Sequence, residues 1–162
     1  MVTIRSVSGA DAAAWLKLRC ALWPDGTRVE HRREIEAFLS GQVREPQAVL
    51  LAVDQDDRTL GFVELSVRPY AEGCNTNQVA YLEGWYVVPD ARGRGVGRSL
   101  VSAAEAWGRE QGCKEFASDA QPDNAVSRRA HVALGFEEVG MVVCFRKDLD
   151  DGGPAWEQGP LR

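Results

Sequence analysis

Three glycines spaced two apart, Gly93, Gly95 and Gly97, alternate with Arg92, Arg94 and Val96 between a strand-like run and a helical run. No other feature constrains the fold of this 162-residue chain as tightly. Glycines let backbone N–H groups approach a ligand closely, and the start of the following helix carries partial positive charge, so the turn is a candidate anion cradle. Four arginines face two carboxylates between Asp90 and Arg109. The Walker phosphate loop is excluded because Gly97 is followed by Arg98-Ser99 rather than Lys-Ser/Thr, and the dinucleotide fingerprint is excluded by the glycine spacing. A plain Arg-Gly turn with solvated charges is the alternative.

Around this turn the pattern alternates between strand and helix. Val2 to Ser6 reads as a strand, and Ala12, Trp15, Leu16, Leu18 and Leu22 recur at helical spacing up to the turn signal Trp23-Pro24-Asp25-Gly26. Thr27-x-x-Glu30 is a capping box for a second helix ending before Gly41. Ala48 to Val53 and Thr59 to Val67, joined by an acidic turn, form a hairpin. Val79 to Val88 reads as a strand whose alternation puts Val79, Tyr81, Glu83, Trp85 and Val87 on one face. After the helix from Val96 come a short strand at Lys114 to Ser118, a helix from Asn124 to Leu134, and a strand over Val139 to Phe145. This order predicts an α+β (mixed α/β) fold with a central sheet, as a single domain over residues 1–149 with a loose tail over 150–162.

Composition narrows the function classes. Hydrophobic residues make up 44% and charged residues 27%, enough for a core. The 19 basic and 24 acidic side chains leave a net charge of −5, which disfavours nucleic acid and suits a cationic small molecule. Four scattered cysteines and two histidines write no metal-ligand spacing, so no metal is expected. The absence of a long apolar run or a leader-like N-terminus predicts a cytoplasmic protein with reduced thiols and no membrane contact.

Arg92-x-x-Gly95-x-Gly97 after a strand, with Asn124 and Ala133-Leu134-Gly135-Phe136 downstream, resembles the acetyl-CoA-binding core of the GCN5-related N-acetyltransferases (GNAT). Leu22-Trp23-Pro24, Tyr70 before Gly73-Cys74, Leu82-Glu83-Gly84, Ala117-Ser118-Asp119 and His131-x-Ala133-Leu134 narrow the resemblance to aminoglycoside 6′-N-acetyltransferases, over nearly the whole chain to Leu149. The resemblance implies the GNAT fold, a mostly antiparallel twisted sheet with a bulged central strand flanked by about four helices. It implies acetyl transfer from acetyl-CoA, the co-substrate, to the 6′-amine of an aminoglycoside, and commonly a homodimer, to which the Val139–Phe145 strand could contribute a shared sheet. It assigns acetyl-CoA binding to the backbone of Trp85, Tyr86 and Val87, to Arg92, Gly93, Arg94, Gly95, Val96 and Gly97, and to Asn124, which is also a helix cap.

The acceptor side needs a group that takes the ammonium proton. Glu83 is a candidate if apolar neighbours raise its pKa; an edge-strand glutamate or salt-bridge partner is the alternative. Asp119 follows a strand at its carboxyl end, where open sheets place ligands, and a turn-forming aspartate before Pro122 is its plain reading. The resemblance assigns both to the substrate amine and leaves open which is the base. Trp23 and Tyr70 are implied sugar contacts, with packing as the alternative, and His131 is either the acid that protonates the leaving thiolate or a core histidine. Gly26 and Gly140 stand where relatives can carry a histidine and a glutamate that contact substrate, and Cys144 reads as buried strand filling. Acceptors other than aminoglycosides, namely another polyamine or a protein amine, and a noncatalytic acetyl-CoA-binding module remain as alternatives.

Overall fold

A computed structural model describes residues 1–149. Five strands, β1 (Val2–Ser6), β2 (Ala48–Asp54), β3 (Thr59–Arg68), β4 (Val79–Val87) and β5 (Glu115–Ser118), form one sheet in chain order. The first four are antiparallel; β5 runs parallel to β4, as the crossover through a helix requires. The helices are α1 (Ala12–Leu22), α2 (Arg28–Leu39), α3 (Val96–Glu110) and α4 (Ala125–Ala133). This is the expected mixed α/β architecture, and the expected tail over 150–162 lies outside the described residues.

The strands alternate their side chains between two cores. Val63, Leu65 and Leu82 pack against Val96, Leu100, Val101 and Ala104 of α3. On the other face Val49, Leu51, Val53 and Phe62 meet Trp15, Leu16 and Leu18 of α1 and Ile35 of α2. Helix caps are local and legible: the Glu30 carboxylate accepts from the Thr27 N–H at 2.8 Å, while Thr27 Oγ1 accepts from the Glu30 N–H at 3.2 Å.

One irregularity shapes the site. Leu65 pairs with Leu82 and Glu64 with Gly84, so Glu83 is an extra residue on β4 and the strand bulges. The extra residue reverses the alternation. Trp85 and Val87 join the α3 core, whereas Gly84 lies under Trp23 and Tyr86 joins the α1 core. The expectation that Glu83 shares a face with Trp85 and Val87 is therefore corrected.

The expected strand over Val139 to Phe145 is also corrected: residues 136–149 have no regular structure. A strand needs a neighbouring edge to satisfy its backbone, and this segment pairs with none of the described strands. Its apolar side chains stay exposed, and Cys144 is exposed rather than buried.

At the start of α1 the Asp11 carboxylate closes a polar knot. It accepts from both Nη atoms of Arg5 at 2.8 Å and from the Ser8 N–H and Oγ at 2.8 and 2.7 Å. The Arg5 guanidinium, with Ser8 assisting and burial opposing, holds the Asp11 carboxyl well below the usual carboxylate range. Its ionised form thus contributes stability that is complete above the ordinary aspartate value and is lost as pH falls through the lowered one. Asp11→Asn is expected to cost about 1–3 kcal/mol at neutral pH, with the difference from wild type shrinking below about pH 4 in urea denaturation; a difference constant down to strong acid contradicts this.

Candidate functional site

The glycine-arginine turn is built as an open cradle. Gly93 and Gly95 have φ of +71° and +83°, and a Cβ on either would meet nothing within 4 Å. Glycine is required there by backbone conformation, leaving the approach clear. Gly97 is different, because a Cβ would lie 2.9 Å from the Trp85 ring. The first-turn N–H groups of α3 have no carbonyl four residues back within the helix, so they face the open turn beside exposed Arg94 and Arg98. This donor set fits a pyrophosphate.

Arg92, exposed like Arg94 and Arg98, also has a structural part. Its Nε donates to the Val87 carbonyl at 2.9 Å and its guanidinium lies 5.5 Å from the Tyr86 ring centroid, bracing the turn against β4. Val88 donates to the Leu60 carbonyl on β3 at 2.9 Å, so the polar groups of Val87 face the opposite edge. That edge is open: pairing with β5 stops at Leu82 and Ser118, and from Glu83 to Val87 no described strand lies beside it. The buried Trp85 Nε1 has no hydrogen-bond partner among the described residues.

Two carboxylates stand where β5 stops pairing with β4. Glu83 stands in the bulge, and Asp119 follows Ser118, the β5 residue opposite Leu82. Neither is bare. Arg68 Nε and Nη2 bond the two Glu83 oxygens at 2.9 and 2.5 Å, and the guanidinium stacks 3.5 Å from the Tyr81 centroid. Tyr81 in turn donates its hydroxyl to Asp119 at 2.8 Å. Burial first, then the Asp119 carboxylate, pushes the Tyr81 phenol up, keeping it a donor. The apolar surroundings expected for Glu83 are thus replaced by an ion pair.

Arg68, Tyr70, Tyr81, Asp119 and His131 line one cleft of about 940 Å³. Tyr70 is exposed and its hydroxyl donates to Glu72 at 2.9 Å. Trp23 lies apart from that cleft, over Gly84, where an added Cβ would approach its ring to 2.6 Å. His131 is part-buried between Trp85 and Phe136, with centroids 5.3 and 5.1 Å away. Its Nδ1 donates to the Ser127 carbonyl at 2.8 Å, which leaves Nε2 against Ser118 Oγ at 2.9 Å. Asn124 caps α4 by accepting from the Ser127 N–H at 3.0 Å. At Gly26 a Cβ would meet His31 Nε2 at 2.8 Å, and Gly140 faces open space.

Arg68, Tyr81 and Ser118 were not among the candidates from sequence. Arg68 had a signal in lying two residues before Tyr70 at the end of an alternating strand. Among the described residues no three His, Cys, Asp or Glu side chains are grouped to hold a metal, and no helix is long and apolar enough to cross a membrane.

Residues 13–136 match the model of the acetyltransferase (GNAT) family. The chain belongs to this family. The acetyltransferase is 60% identical over 146 residues to the aminoglycoside N(6′)-acetyltransferase type 1 of Klebsiella aerogenes, covering 90% of this chain and 96% of that one. It is 43% identical to the same-named protein of Stenotrophomonas maltophilia, covering 91% and 94%. Among solved structures, AAC(6′)-Iy in complex with the bisubstrate analogue CoA-S-monomethyl-acetylneamine superposes with a TM-score of 0.83 at 37% identity, covering 91% and 99%. AAC(6′)-Ih from Acinetobacter baumannii gives 0.84 at 37%, covering 93% and 100%.

The open turn yields a prediction. Gly95→Ala disfavours the left-handed backbone by about 1–2 kcal/mol without a clash; the free turn relaxes out of that conformation and must return to it on binding, so acetyl-CoA affinity measured by calorimetry should fall about tenfold while the fold survives. Unchanged affinity contradicts the cradle.

Proposed function

We propose that this acetyltransferase moves the acetyl group of acetyl-CoA to the 6′-amine of aminoglycoside antibiotics, by direct attack in a ternary complex, and so confers resistance. The observation that carries this is the bulged strand, with an anion cradle at one end of its open edge and two carboxylates at the other. The relatives named for that activity, and the AAC(6′)-Iy complex with a CoA-neamine analogue, support the same acceptor.

The pyrophosphate of acetyl-CoA sits on the turn from Arg92 through Gly93, Arg94, Gly95 and Val96 to Gly97, with Asn124 alongside. The thioester lies along Trp85, Tyr86 and Val87, and the Val87 N–H on the open edge polarises its carbonyl. Glu83 and Asp119 bind the cationic amine and take its proton, directly or through water. The freed nitrogen lone pair attacks the carbonyl carbon, the C–S bond breaks, the nitrogen releases its second proton to water, and the thiolate gains one from Nε2 of protonated His131, which is recharged from solvent. Tyr70 and Trp23 contact the sugar rings.

Residues 1–149 act as one domain in this reading. The exposed Val139, Met141, Val143 and Phe145 favour a homodimer in which a second chain covers them. Four unpaired cysteines and a metabolic acyl donor suit the cytoplasm.

Thiol release from acetyl-CoA in the presence of aminoglycosides bearing a 6′-amine, set beside their 6′-hydroxyl analogues, tests the assignment. Turnover confined to the amines is expected. Equal turnover of both groups, or turnover only with other polyamines or protein amines, overturns it, and acetyl-CoA binding without any turnover leaves a binding module. Asp119→Asn and Glu83→Gln should lower kcat, the true base by about a hundredfold or more, while the KM for acetyl-CoA stays within about twofold; parallel loss of both constants would mean a damaged fold.

A further inference from the structure

A buried ion pair lies under the bulge, and none of the roles above uses it. Arg19 on α1 is 8% exposed and Glu64 on β3 is 3% exposed. Arg19 Nη2 bonds Glu34 of α2 at 2.6 Å, while its Nε lies 3.2 Å from Glu64 Oε1 without the alignment of a hydrogen bond. Trp15 Nε1 donates to the same Glu64 oxygen at 2.9 Å. Burial pushes the Glu64 carboxyl up to about 7, against the pull of Arg19 and Trp15. Removing two charges from water costs several kcal/mol per ion, and a pair of apolar side chains would commonly pack such a site as well or better. The surrounding core is already apolar, with Leu16, Ile35 and Phe62.

The planar faces of the arginine suggest what the pair does. Its guanidinium carbon lies 5.0 Å from the centroid of Trp23 and 5.8 Å from that of Trp15. The Trp23 indole is then confined between this cation and the bulge backbone at Gly84, the register partner of Glu64. Phe62 meets the same indole edge-on at 6.3 Å. A guanidinium stacks flat on an indole, and its fork is fixed by two carboxylates as an ammonium could not be.

We infer that Arg19, anchored by Glu64 and Glu34, is a positioning residue that fixes the Trp23 indole as a wall for the aminoglycoside. The inference rests on the reading that Trp23 contacts the sugar. It makes the ion pair under β4 a determinant of acceptor affinity while leaving acetyl-CoA binding untouched.

A double-mutant cycle tests it, with dissociation constants for a 6′-amino aminoglycoside and for acetyl-CoA measured by titration calorimetry. Arg19→Met is made together with Glu64→Gln, so that no buried carboxylate is left unpaired. This pair of changes should weaken aminoglycoside binding about fivefold, Trp23→Ala about tenfold, and their combination no more than Trp23→Ala alone, with acetyl-CoA affinity within about twofold throughout. The same weakening in both Trp23 backgrounds shows a merely structural pair and overturns the inference. No effect of Trp23→Ala by itself overturns the reading beneath it. Should the Arg19→Met protein lose acetyl-CoA binding, Arg19→Lys, which keeps the charge without the plane, repeats the cycle with the same two outcomes.

Discussion

The rest of the site depends on one extra residue in β4. Glu83 has no register partner on β3, and from that point the strand changes faces and leaves β5. Trp85 and Val87 turn into the α3 core, where Trp85 lies under Gly97 and so under the glycine-arginine turn. Gly84 turns the other way and admits the Trp23 ring. The open edge carries the polar groups of Val87, one of them already held by Arg92. A regular strand paired on both sides would have used these backbone groups in a ladder and left no open edge.

Electrostatics divides the same strand. Net charge of −5 is a property of the whole chain, yet Arg92, Arg94 and Arg98 cluster after β4, while Glu83 stands in the bulge and Asp119 just past β5. These carboxylates are paired within the chain: Glu83 with Arg68, and Asp119 with the Tyr81 hydroxyl. The pairs hold the oxygens in fixed positions, the preorganisation that the proposed binding of a cationic amine would use. Arg19 under Trp23 extends the same logic into the core, where a charge is retained for the surface its plane supports.

Much of this was legible because it is local. The capping box at Thr27 and Glu30, the β2–β3 hairpin, the glycine turn and the Asn124 cap are written within a few consecutive residues, and the structure carries all of them. What was misread depends on pairing at a distance. A bulge is a mismatch between Glu64 and Gly84, which alternation along β4 alone cannot reveal, so Trp85 and Val87 were placed on the wrong face. The ion pair between Arg68 and Glu83 joins the end of one strand to the middle of the next, and it depends on register rather than on composition. Val139 to Phe145 has the alternation of a strand but pairs with no described strand, although the outer side of β5 and β4 beyond Leu82 are free, so alternation alone overstated it. The glycine spacing with its downstream Asn124 and Ala-Leu-Gly-Phe segment was specific enough to find the family. The acceptor side needed the fold.

In the proposed function the bulge brings the acceptor amine, the acetyl carbon and a carboxylate to one point on the open edge of β4. A crystal structure with CoA and an aminoglycoside bound together measures this directly. The 6′-nitrogen is expected within hydrogen-bond reach of Glu83 or Asp119, directly or through one water, with the CoA sulfur beside it. A 6′-nitrogen facing away from both carboxylates, or a CoA arm that does not run along Trp85 to Val87, would contradict it.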